Sequence, residues 1–341
     1  MFNFIRREKL YILMLFFILA VNALNTGQAE KGQDDGQGLS SMTFEEMGIT
    51  EEKVKGFFES ERPSGKFFKY GIVLGFLIFV ISLILNLGFL IQGKKIDFKG
   101  TVQKRPVSWE ISDLIRVSII VIFTGYIIGI IGGIILKLFH ISIGLNLRML
   151  ISTFFVDIAA GAVVLYFVIV KYRERLESLG LRFGSILNNI LSGITAYIFI
   201  LPLLLVMLLL SMWFLNLLGY TPPSQPVFDV FMEEERGRML LFLTIFVSVF
   251  GPIIEEMFFR GFMYSAIRKR LGVLAAAFLS ACIFSLLHAN IVGFLPIMVL
   301  GVLLAYLYET TGSLVASVTV HVMHNSIIVA FVFFIKELIA K

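Results

Sequence analysis

The chain alternates between long apolar runs and short polar stretches, and the runs set the architecture. Eight of them cover residues 70–91, 117–139, 149–170, 190–218, 240–259, 273–290, 294–308 and 314–335. Each is continuously apolar rather than alternating, which predicts membrane-spanning helices and not a β-barrel. The expected fold is therefore all-α, a polytopic membrane bundle of about eight transmembrane helices plus an N-terminal signal or signal-anchor. That N-terminal segment has Arg6, Arg7 and Lys9 followed by an apolar stretch over 10–24. The pattern is that of a secretory signal with cleavage points at Val21/Ala23 or Gly27/Ala29, or of an uncleaved anchor short for a span.

The polar stretches divide the chain further. Residues 1–24 read as the signal or anchor, 25–66 as a polar extracytoplasmic segment, 67–180 as N-terminal spans, 181–335 as a C-terminal core and 336–341 as a tail. Residues 25–41 have the composition of a disordered linker. Thr43, with Glu46 three residues on, predicts the start of a short amphipathic helix over 44–58. Loop charge fixes an expected orientation. Lys94, Lys95, Lys99, Lys104 and Arg105 follow the first span, Lys171, Arg173, Arg175 and Arg182 the third, and Arg268, Lys269 and Arg270 the fifth. The intervening loops are acidic or nearly uncharged, so the positive-inside rule places residues 25–69 and the C-terminus outside. The basic, amphipathic stretch 171–183 is expected along the cytoplasmic surface.

Composition agrees with this reading. Of 341 residues, 58% are hydrophobic and 16% charged, with mean hydropathy +0.91, whereas soluble domains are nearer half apolar and a quarter charged. The net charge of +5 resides in loops and reports orientation; it gives no sign of a nucleic-acid partner. A single cysteine, Cys282, excludes an intrachain disulfide and a cysteine-rich metal site.

Candidate chemistry comes from polar residues that interrupt the runs. The apolar stretch 240–254 closes on Glu255, Glu256 and, four residues after Glu256, Arg260. One charge near a bilayer centre costs about 3 kcal/mol. Glu256 and Arg260 share a helical face and can pair, while Glu255 projects about 100° away without such a partner. Alone, this stretch reads equally well as a helix ending among headgroups. His288, His321, His324 and Asn325 lie further on, His321 and Asn325 on one face. His140, at a span end, reads as interfacial. Taken singly, each histidine is explained by a hydrogen bond across a helix pair, and Phe284 by ordinary packing. Taken together, two glutamates, an arginine, two histidines and an asparagine occupy three spans, which suits a general base, a proton-sharing imidazole and oxyanion donors. Glutamate with histidine is also metal-ligand chemistry, although the His-Glu-x-x-His pattern is absent and no serine nucleophile has convincing neighbours.

Glu255-Glu256-xxx-Arg260, Phe284-xxx-His288 and His321-xxx-Asn325, in that order, resemble the CPBP family of intramembrane proteases. That family includes the CAAX prenyl endopeptidases of eukaryotes and bacterial bacteriocin-processing and immunity proteins. The resemblance spans 181–335 and takes in Gly301 and the segment 307–314. It implies an endopeptidase of the bacterial or archaeal cell membrane, acting on a peptide or membrane-protein substrate within the bilayer. Glu255, aided by His288, would activate water; His321 and Asn325 would hold the oxyanion; Glu256 and Arg260 would orient the site. The resemblance leaves a divalent metal such as zinc open, with a metal-free glutamate route preferred. A non-catalytic scaffold or immunity protein is the alternative. A small transporter is the next, but such proteins show two halves with matching interrupted helices, and no internal repeat is visible. One conflict stands: the spans as drawn put Glu255 near one membrane side and His288 late in the next, outward-running span.

Overall fold

Where the chain must turn, the sequence breaks the apolar runs with glycine, proline or charge, and the structure turns there. The computed structural model describes residues 2–26, 45–93, 107–182, 184–223 and 225–339. Lys94, Lys95, Lys99, Lys104, Arg105, Thr43, Gly27 and Ala29, and most of the 25–41 stretch, lie outside them. The described residues contain helices and no strand. In chain order the helices are α1 (Phe2–Thr26), α2 (Glu51–Glu59), α3 (Pro63–Ile91), α4 (Ile111–Leu138), α5 (Leu145–Leu165), α6 (Ile186–Leu217) and α7 (Pro226–Glu233). They continue as α8 (Gly237–Ile245), α9 (Gly251–Glu256), α10 (Ser265–Leu287), α11 (Phe294–Thr311) and α12 (Leu314–Ile339).

Seven helical stretches among the described residues are long and apolar enough to cross a membrane. One of them, Gly237–Leu287, runs 51 residues and absorbs two of the eight expected spans. Gly272 divides it, with φ 82° and ψ 178°, a conformation that only glycine adopts without strain. The first limb therefore continues well past residue 259, where the apolar pattern alone ends it. The charges at 255–260 sit inside a helix, which removes the reading of a helix end among headgroups.

Polar groups fasten helices that apolar contact alone would not hold together in lipid. Pro202 in α6 has no N–H, so the carbonyl of Ile198 lacks its usual intrahelical donor. Ser82 of α3 supplies one, its Oγ donating to Ile198 O at 2.6 Å, and Asn86 Nδ2 donates to Phe199 O at 2.8 Å. On α1, Glu8 pairs with Arg116 of α4 at 2.5 Å and Phe17 sets its ring against Phe123, so this helix packs along α4. Val21 and Ala23 fall within α1.

Two surface expectations change. The short helix before the first span is α2, capped by Thr50, whose Oγ1 accepts from Lys53 N at 3.3 Å. Its Phe57 is fully buried against Phe58, Phe68 and Phe334, which docks it on the C-terminal end of α12. Among the described residues of 172–182, Leu176–Leu179 forms a single 3-10 turn. Leu179 is fully buried and the Gly180 carbonyl accepts from Leu314 N at 2.9 Å, so the segment is pinned under the α11–α12 turn at these two residues while Lys171, Arg173, Arg175 and Glu177 stay exposed.

Candidate active site

The long helix changes its winding on both sides of the twin glutamates. Phe246–Phe250 and Met257–Tyr264 are π-helical, and the α-helical turn α9 between them carries Glu255 and Glu256. Wide π turns recur at functional sites because they loosen the hydrogen-bond ladder and re-aim side chains. Each one here receives a side-chain donor from another element. Asn325 Nδ2 of α12 donates to Val247 O at 2.9 Å, and Trp109 Nε1, from the segment before α4, donates to Phe262 O at 3.0 Å.

Glu256 and Arg260 form an ion pair at 2.5 Å with both side chains 0% exposed. Arg260 also donates to the Gly301 carbonyl at 3.2 Å, and its guanidinium carbon lies 4.4 Å from the centre of the Phe284 ring. Gly301 permits this arrangement by its smallness. A Cβ there would come within 2.9 Å of Ala281 Cβ and 3.4 Å of an Arg260 nitrogen.

His321, 1% exposed, continues the chain of contacts. Its Nδ1 stands 3.0 Å from Glu256 Oε1 and its Nε2 3.7 Å from Glu255 Oε2. Facing a carboxylate, Nδ1 is the donor; Nε2 faces the second carboxylate, as a lone-pair nitrogen in the neutral ring and as a second donor in the protonated one. His288 is set in the same way. Its Nδ1 is 2.7 Å from Phe284 O, and a carbonyl can only accept, so its Nε2 is likewise the nitrogen that remains for the site. Phe284 holds both rings, with centroids 4.5 Å from His288 and 5.4 Å from His321.

One ligand atom each from Glu255, His288 and His321 lie within 4.8 Å of one another. The conflict over depth is thereby resolved. The first limb runs on to Gly272, which places Glu255 mid-helix, while His288 caps the end of α10 just before the chain turns back into α11. Glu255 is 28% exposed, yet its Oε2 is buried and has no hydrogen-bond partner among the described residues. That oxygen faces His321 Nε2 at 3.7 Å, a gap that calls for a donor, either a proton on the imidazole or a water or cation beside it.

The donor set also fits a catalytic metal, for which two histidines and a glutamate with one open position is a known arrangement. The hydrogen bonds from the two Nδ1 atoms are the orienting contacts such ligands require. Of the expected site residues, Glu255, Glu256, Arg260, His288 and His321 stand together. Asn325 sits one turn beyond His321 with its amide engaged by Val247 O. His324 turns away to Tyr197 of α6, 3.1 Å from its hydroxyl.

Similarity to known proteins covers this region. Residues 237–327 match the family described as Type II CAAX prenyl endopeptidase Rce1-like, a segment that holds all three motifs. YdiL of Bacillus subtilis (strain 168), named as a membrane peptidase, is 28% identical over 110 residues, which is 30% of this chain and 45% of that protein. MroQ of Staphylococcus aureus (strain USA300), named as a membrane-embedded CAAX protease, is 30% identical over 112 residues, 31% of this chain and 45% of the relative. The matched stretch thus spans less than half the length of each relative. No solved structure matches. The resemblance to the CPBP family stands on these matches, and the apolar helices make the chain a multi-pass integral membrane protein with bacterial relatives.

Proposed function

We propose that this membrane protein, whose segment 237–327 is of the Rce1-like type, is an intramembrane endopeptidase that hydrolyses a peptide bond with a water activated by Glu255. The observation that carries the reading is the buried, unpartnered Glu255 Oε2 opposite His321 Nε2. A water there donates one hydrogen to Glu255 Oε2 and the other to the Nε2 of His288. As its oxygen bonds to the scissile carbonyl carbon, one proton passes to Glu255. The same carboxyl then delivers it to the leaving nitrogen as the C–N bond breaks. His288, with its Nε2 toward the site, is the second acceptor that holds the water. His321 is oriented by Glu256, whose charge Arg260 balances. His321 enters the reaction protonated at both ring nitrogens, its charge balanced by Glu256, and donates from Nε2 to the developing oxyanion, with Asn325 further along the same face.

If a divalent ion binds, Glu255, His288 and His321 are the residues that hold it, and it supplies Lewis-acid polarisation and a more acidic water. The metal-free route remains our preferred form of the proposal. The substrate is a peptide or membrane protein entering from the bilayer. Comparing membrane-peptide profiles of cells carrying the wild-type protein and Glu255→Ala tests the reading and names the substrate. Peptides present only with the wild type support it, and identical profiles overturn it.

A further inference from the structure

On α5, the helix that packs beside the twin-glutamate turn, stands a carboxylate that no motif contains. The helix α5 runs beside the long helix in the same direction. Phe154 packs its ring on Phe242 and Phe246 at 5.1 and 5.2 Å. Two turns on, a Cβ added at Gly161 would lie 3.2 Å from Met257 and 3.5 Å from Ile254. Asp157 lies between these contacts on the same face of α5, since positions three and seven residues apart share a helical side. It therefore stands level with residues 250–251. Glu255 reaches back to that level, because helical side chains lean toward the N-terminus, and its Oε1 lies 3.8 Å from where a Gly251 Cβ would be. Among the described residues Asp157 makes no hydrogen bond and no ion pair.

An amide is a dipole whose carbonyl oxygen needs donors and whose N–H needs an acceptor. The α12 side of Glu255 offers His321 and Asn325, and the α5 side offers an uncompensated acceptor. We propose that Asp157 accepts a hydrogen bond from the N–H of the scissile amide, so that the bond lies across Glu255 with its carbonyl toward α12 and its nitrogen toward α5. Asp157 transfers no proton in this role; it fixes which way the amide points. The inference rests on the endopeptidase reading of the site.

The test uses the full-length protein in detergent and a synthetic peptide spanning the first cleavage site found in the membrane-peptide profile. A second peptide has that N–H replaced by an ester oxygen. Asp157→Leu, which has no acceptor and is confirmed as folded by its thermal unfolding, is expected to lower kcat/KM on the amide about 10- to 100-fold, the worth of one charge-assisted hydrogen bond. On the ester, which has no N–H to offer, its rate is expected to match the wild type. An unchanged amide rate overturns the proposal, as does an equal loss on both peptides, which marks a merely structural residue. Profiles that are identical for the wild type and Glu255→Ala overturn this inference and the endopeptidase reading together. Cleavage that needs Glu255 but ignores Asp157 overturns this inference alone.

Discussion

Glu256 and Arg260 face each other across one turn of the long helix at 2.5 Å, and neither side chain is exposed. Desolvating such a pair is expensive, and only dense secondary contacts offset the cost. They are present: the Gly301 carbonyl and the Phe284 ring on Arg260, and His321 Nδ1 on Glu256. This pair is therefore a fixed anion–cation scaffold from which the orientation of His321 follows.

Arg260→Met leaves Glu256 as a buried charge without its partner. Breaking a buried pair in this way costs about 3–5 kcal/mol, which is expected to appear as a large drop in the thermal midpoint of the purified protein. The double change Glu256→Leu with Arg260→Met removes both charges and is expected to recover much of that loss. Recovery of activity is not expected, because His321 loses the acceptor that orients it.

Ser82→Ala removes the donor that answers Pro202. The Ile198 carbonyl is then buried without a partner at a cost of about 1–3 kcal/mol. Adding Asn86→Ala is expected to loosen α3 from α6. A disulfide introduced between cysteines placed on the two helices would form readily in the wild-type background and poorly in the double variant.

His288 caps α10 at an exposed position, its Nδ1 on the Phe284 carbonyl and its ring against the Phe284 ring. His288→Ala is therefore expected to shift stability by no more than about 0.5 kcal/mol. Cleavage is expected to fall about 10²- to 10⁴-fold if the imidazole takes part in proton transfer. Peptide cleavage and thermal unfolding measured on the same sample separate the two effects.

The fold and the site were legible in the sequence to different depths. Runs of apolar residues mark the helices because lipid admits few other spanning structures, and all three motifs lie on helices that meet. Depth was not legible. Periodicity cannot show that a helix continues through Glu255 and Arg260, since two buried charges resemble a terminus until their partners on α11 and α12 are in place. The single signal for the true break was Gly272. Trp109, Ser82 and Asp157 carry no local pattern at all, because their meaning depends on a π turn, a proline and a neighbouring helix supplied by distant residues. Asp157 could have been flagged only as a charge inside an apolar run.

The metal-free form of the proposal predicts that cleavage persists after exhaustive treatment with a chelator. Activity that disappears on chelation and returns with zinc would instead assign the water's activation to an ion on Glu255, His288 and His321, three groups whose ligand atoms already lie within 4.8 Å. Metal analysis of the wild type beside His288→Ala gives a second readout that does not depend on turnover.

The account's central claim is that Glu255 is the base, and purified Glu255→Ala tests it most directly. Glu255 is partly exposed and makes no ion pair with Arg260, so the variant is expected to unfold at nearly the wild-type temperature. The account predicts a folded protein that leaves the peptide substrate intact. A folded Glu255→Ala that still cleaves it would contradict the account.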